Sequence, residues 1–123
     1  MSLIHYLFLG HFEREGGMVR FSKNPGNRAY SPVVREPLGV EAISLVLRQL
    51  TGAKGDRHSI PDGWPIWLKN GYLVCDKYTR DPDVVKFVTL FAERTGCDIY
   101  DVAAHCDLAL NDWLSELRDY SRP

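Results

Sequence analysis

The chain contains no apolar run near the roughly 20 residues that a helix needs to cross a bilayer, which argues against an integral helical membrane protein. Cysteine is scarce. Cys75, Cys97 and Cys106 are odd in number and form no Cys-x-x-Cys pair. That count argues against a secreted disulfide framework and favours a reducing, cytosolic setting. Neither sign of charge dominates: 15 Lys and Arg stand against 16 Asp and Glu, for a net charge of −1. A protein that coats nucleic acid by bulk charge is unexpected on that balance. The chain has no low-complexity tract, no internal repeat, no Gly-x-Ser-x-Gly and no P-loop. The apolar stretch from Leu3 to Leu9 lacks the basic start and small-residue cleavage site of a signal peptide, and reads as a buried first strand.

What is present is ordinary globular material. At 123 residues with 45% hydrophobic and 25% charged residues, the chain reads as a single domain over 1–123. Leu3 to Phe12 and Met18 to Ser22, separated by a Gly16-Gly17 turn, predict an opening hairpin. Residues 23–37 carry three prolines and predict an exposed loop, with at most a short extended piece near Pro32-Val33-Val34. Val40, Ile43, Leu47 and Leu50 share one face of a helix over Gly39–Leu50, with Gly52 as its stop and a polar loop over 52–58 beyond it. Trp64–Lys69 and Tyr72–Thr79 flank Asn70-Gly71, the strongest short hairpin signal, in the expected type I′ form.

Three helices are expected after that. Asp81 caps the first, with Pro82 at its opening position; Val84, Phe87, Val88 and Phe91 form its buried stripe, and Gly96 ends it. Asp98 caps the second, on the period of Ile99, Val102, Ala103 and Cys106, although the β-branched residues here also allow a strand. Asp107 caps the third, on which Leu110, Trp113, Leu114 and Leu117 align. The expected class is α+β: an antiparallel sheet from two hairpins, helices packed on one face, and three helices at the C-terminal end.

The charge is unevenly placed. Residues 1–60 hold eight basic and five acidic side chains, whereas 61–123 hold seven and eleven. Between Asp81 and Asp119 three bases face nine acids. Several of these acids suit helix caps and first turns. Asp112, Glu116 and Asp119, however, recur at spacings of four and three, which puts them on one helix face away from Trp113 and Leu117. An exposed acidic stripe of this kind steers a basic partner. Trp64 and Trp67 fall on opposite faces of a regular strand, so one faces outward as a candidate aromatic anchor. Pro65 marks the strand as an edge, open to a partner or to a homodimer.

Two further readings are weighed. Ile99-Tyr100-Asp101-Val102-Ala103 resembles the start of the first helix of a helix-turn-helix, as in repressors of the LacI type, which implies a nucleic-acid-binding regulator. The second helix, with Asp112, Glu116 and Asp119, carries the wrong sign for phosphates, and Asp107 stands where the motif has glycine. Arg14, Arg20, Lys23, Arg28 and Arg35 form a basic stretch that could meet phosphate or simply be solvated. The last reading is a small enzyme in which Cys75 pairs with a histidine; His5, His11, His58 and His105 have no metal-motif spacing. The balance favours a small, non-catalytic protein-binding module of the intracellular inhibitor or immunity-protein kind. No catalytic residue, metal or cofactor is assigned. Asp112, Glu116, Asp119, Trp64 and Trp67 are the expected contacts to a basic partner protein.

Overall fold

The computed structural model describes residues 5–23, 30–51 and 60–120. It is an α+β fold with a mainly antiparallel sheet and three helices among the described residues. The strands are β1 (Tyr6–Phe12), β2 (Arg14–Glu15), β3 (Met18–Val19), β4 (Phe21–Lys23), β5 (Tyr30–Pro32), β6 (Val34–Glu36), β7 (Ile66–Leu68), β8 (Leu73–Asp76), β9 (Asp98–Asp101) and β10 (Cys106–Asp107). The helices are α1 (Val40–Thr51), α2 (Pro82–Thr95) and α3 (Leu110–Tyr120). None of the described helices is long and apolar enough to cross a membrane.

β1 is the centre of the sheet, whose order is β10-β9-β1-β8-β7. It pairs antiparallel with β8 from Tyr6↔Asp76 to Leu9↔Leu73, and with β9 from Leu7↔Asp101 to Gly10↔Asp98. Its last residues pair with β6 across an irregularity at His11/Phe12. Alternation then divides its side chains. Leu7 and Leu9 join Leu73, Cys75, Ile66 and Ile99 on the face covered by the helices, where Ile43, Val46 and Leu47 of α1, Phe87 and Phe91 of α2, and Trp113 and Leu117 of α3 close one core. Phe12, Val74, Tyr72 and Tyr100 form a smaller cluster with Val19, and Phe8 packs against it. Gly10 belongs to this second cluster: a Cβ there would lie 2.9 Å from Phe12 Cζ and 3.0 Å from Tyr72 Cβ, so the Phe12 ring folds over a backbone that must stay bare.

The opening hairpin is smaller than the sequence suggests. β1 takes long-range partners, and the turn at Gly16-Gly17 joins β2 to β3 instead. The central strand is apolar on both faces, so it earns more by sitting between β8 and β9 than by pairing with a short polar neighbour. The predicted loop at 23–37 contains β5 and β6, with residues 24–29 outside the described residues. The loop at 52–58, with Gly52 and His58, also lies outside them.

The Asn70-Gly71 hairpin forms, with strands shorter than expected: β7 and β8 pair from Leu68↔Leu73 to Ile66↔Cys75. Only Gly71 has a positive φ, of 88°, so the turn is not type I′. Pro37 packs 3.0 Å from where a Gly71 Cβ would be, and Leu38 N–H donates to the Gly71 carbonyl, which ties this turn to the end of β6.

α2 follows its sequence signals. Asp81 accepts from Asp83 N–H at 2.9 Å, Pro82 opens the helix, and Gly96 closes it in the left-handed region at φ 63°. The expected second helix is not there. Asp98–Asp101 is β9, followed by a turn in which His105 has φ 52°, and then by β10. The apolar period at 99, 102, 103 and 106 coincides with a strand whose Ile99 faces the helices and whose Tyr100 faces the second cluster. β1 offers an unpaired side that only a strand can satisfy, and that demand outweighs a weak helical period. Asp107 lies in β10 and caps no helix; α3 begins at Leu110.

Candidate interaction surface

α3 is docked by one lysine and one tryptophan. Trp113 is fully buried, and its indole N–H donates to the Lys77 carbonyl at 2.8 Å. The Lys77 ammonium, with only 10% of its side chain exposed, donates to Asp101 at 2.6 Å and lies 3.0 Å from Glu116. Lys77 N–H also donates to the His5 carbonyl. β1, β8, β9 and α3 therefore meet at this residue. Burial by itself pulls the Lys77 ammonium down, but the hydrogen bonds to Asp101 and Glu116 outweigh it and raise its pKa. Asp101 uses its other oxygen to accept from Ala103 N–H at 3.1 Å and Ala104 N–H at 3.3 Å, which shapes the β9–β10 turn.

A string of rings continues from there. His5 meets Tyr78 edge-on at 5.1 Å, Tyr78 stacks on Tyr120 at 4.7 Å, and the Arg80 guanidinium sits 5.0 Å from the Tyr120 ring centre. Tyr120 remains 47% exposed. It lies four residues beyond Glu116 and seven beyond the buried Trp113, on the flank of α3 between the acidic stripe and the side packed on the core. The sequence reading passed over Tyr120, although this spacing was available to it.

Asp112, Glu116 and Asp119 are all exposed on α3. They are not equivalent. Glu116 is engaged by Lys77, whereas Asp112 and Asp119 have no ion-pair partner among the described residues. Much of the remaining acidic excess is used internally: Asp81 caps α2, Asp101 binds Lys77, and Asp98 and Asp107 both bind Arg14, at 3.1 and 2.6 Å. Asp112 also borders a groove of about 600 Å³ with Glu93, Cys97, Asp98, Asp107 and Leu110.

The other predicted contacts separate. Trp64 is partly buried, with its ring 5.8 Å from Phe87 in the main core. Trp67 is 45% exposed, on the face opposite the helices, and meets Tyr6 edge-on at 6.0 Å. The basic stretch also disperses. Arg14 is held by Asp98 and Asp107, Arg20 by Glu13 at 3.3 Å, and Arg35 lies 4.0 Å from Glu36. Arg28 and the Lys23 side chain are outside the described residues.

Cys75 is fully buried on the helix face of β8, and its thiol donates to the Asp76 carbonyl. Burial, helped by the Asp76 carboxylate, pushes its pKa up to about 12. Burial also raises Cys97, while Cys106 is exposed beside His105. A thiol held protonated in a dry core is a poor nucleophile. The described residues contain no group of three or more His, Cys, Asp or Glu side chains that could hold a metal. The helix-turn-helix resemblance falls with the first of its helices, because Ile99–Asp101 is a strand in the sheet.

No family model matches this chain, and no curated protein or solved structure matches it either.

Proposed function

We propose that this chain acts as a small protein-binding module of the inhibitor or immunity-protein kind, and that it engages a basic partner protein through the outer face of α3. The observation that carries the reading is the placement of Tyr120. A half-exposed aromatic ring packs on Tyr78 and Arg80, at the border of the helix face that carries Asp112, Glu116 and Asp119. An aromatic already packed in place and bordered by an acidic stripe suits an anchor with a polar rim. Holding the ring in place before binding removes part of the ordering cost. Asp112 and Asp119, without an ion-pair partner among the described residues, supply steering, while Glu116 also anchors α3 through Lys77.

The test is affinity capture from host lysate at low and high salt, with the captured protein then titrated against variants. Tyr120→Ala is expected to weaken binding by about tenfold, the scale of a binding hot spot. Asp112→Ser with Asp119→Ser is expected to slow association and flatten its salt dependence. A partner whose affinity and salt dependence are unchanged in both variants would overturn the reading. Capture of nucleic acid without protein would favour a regulator instead.

A further inference from the structure

We infer that β7 is a homodimer interface, along which a second copy of this chain lays its own β7 antiparallel about a two-fold axis at Trp67. This concerns the far edge of the sheet and is independent of the role proposed for α3. β7 ends the strand order, and no described strand pairs with its outer side. The hydrogen bonds set which groups are free. Asp76 N–H donates to the Pro65 carbonyl, and Lys69 N–H donates to the Tyr72 carbonyl, so residues 65 and 69 turn their backbone toward β8. By strand alternation Trp67 does the same, opposite Val74, and Ile66 and Leu68 turn their N–H and C=O groups outward. Pro65 therefore does not blunt the free side, where proline would be protective.

An outward ladder with bonding groups at the first and third of three residues is complementary to itself. In an antiparallel pair centred on Trp67, Ile66 of one copy faces Leu68 of the other and exchanges both hydrogen bonds, twice over. The two Trp67 residues face each other at a non-hydrogen-bonded position, where side chains approach most closely. The surface there is apolar: Trp67 is 45% and Leu68 46% exposed, and Val40 is exposed across the adjoining groove. The charges also match under this symmetry. Asp62 precedes the strand and Lys69 follows it, both lining the same groove of about 390 Å³, and neither has an ion-pair partner among the described residues. Pairing centred on Trp67 sets the Lys69 of each copy opposite Pro65 of the other, three residues from its Asp62, so the opposite charges of the two copies fall at the same end of the paired strands. An unrelated strand would not be bound to carry that matching pair; a second copy is.

The experiment is sedimentation velocity of the full chain over a wide concentration range. The expected result is a concentration-dependent species of twice the 14.0 kDa chain mass. Trp67→Lys, which sets two like charges on the axis, is expected to raise the dimer dissociation constant by about tenfold or more, with an unchanged circular dichroism spectrum. Should that variant misfold, the exposed charges carry the test: Lys69→Asp or Asp62→Lys alone weakens the dimer, and the two together restore it. The register is read by cross-linking in a Cys106→Ser background. Trp67→Cys is expected to form a disulfide dimer under mild oxidation, because facing Cα atoms at that position lie about 4.5 Å apart, within disulfide reach. Leu68→Cys is not. A monomer at every concentration, a dimer indifferent to Trp67→Lys and to both charge variants, or an edge that takes up only an extended peptide would each overturn the inference.

Discussion

Two cations hold the two ends of β9, each between a pair of carboxylates, and they differ in burial. At the first residue of the strand, Arg14 binds Asp98 and Asp107; at its last, Lys77 binds Asp101 and Glu116. Arg14 keeps 31% of its side chain exposed and its acids 37% and 50%, whereas Lys77 keeps 10% and Asp101 only 3%, with Glu116 the exposed member at 44%. The Arg14 cluster ties β2 to the β9–β10 hairpin in water, where paired charges gain little. The Lys77 cluster is built into the junction of the sheet with α3, where loss of one partner strands a charge without solvent. Similar motifs on one strand thus do different work. The exposed one trims a hairpin, and the buried one decides where α3, with its acidic stripe and Tyr120, is placed.

The contrast can be broken most sharply at Lys77. Lys77→Met leaves Asp101 buried without its cation and is expected to cost about 3–5 kcal/mol in denaturant unfolding. Near-ultraviolet signals of Trp113 should report the loosened helix. Asp101→Asn removes the charge but keeps an oxygen for Ala103 and Ala104 N–H, so about 1–3 kcal/mol is expected. Alkali tests the same pair without mutation. Because the folded-state pKa of Lys77 is raised, its contribution is complete below the ordinary lysine value near 10.5. That contribution is lost as pH climbs through the raised folded value. Urea midpoints measured upward from pH 10 should fall more steeply in the wild type than in Lys77→Met. The smallest effect is expected at Arg14. Arg14→Ala should cost no more than about 1 kcal/mol, much of it gone at 1 M salt. A loss at Arg14 equal to that at Lys77 would break the comparison.

How much of this was legible before the fold was known varies along the chain. α2 was legible almost to its ends, because Asp81, Pro82 and Gly96 act on their own backbone. The Asn70-Gly71 hairpin was legible for the same local reason, but its turn type was not: Pro37, distant in sequence, packs on Gly71. The segment 98–106 was misread because its apolar spacing fits both a helix and a doubly buried strand, and the choice rests with β1, some ninety residues away. The acidic stripe on α3 was visible as a spacing. That Lys77 engages Glu116 and leaves Asp112 and Asp119 without a described partner was not, since Lys77 lies at the end of an apolar run with nothing local to mark it.

Local pattern was enough for the α+β class, the amphipathic helices α1 and α2, the second hairpin and the exposure of Asp112, Glu116 and Asp119, because capping, turn chemistry and hydrophobic period act within a few residues. Long-range packing settled that β1 is central, that 98–101 is a strand, that Trp64 turns inward while Trp67 stays exposed, and which acids are tied to cations. Those outcomes depend on hydrogen bonds and burial shared between segments far apart in the chain, and a local pattern carries no information about which distant partner is on offer.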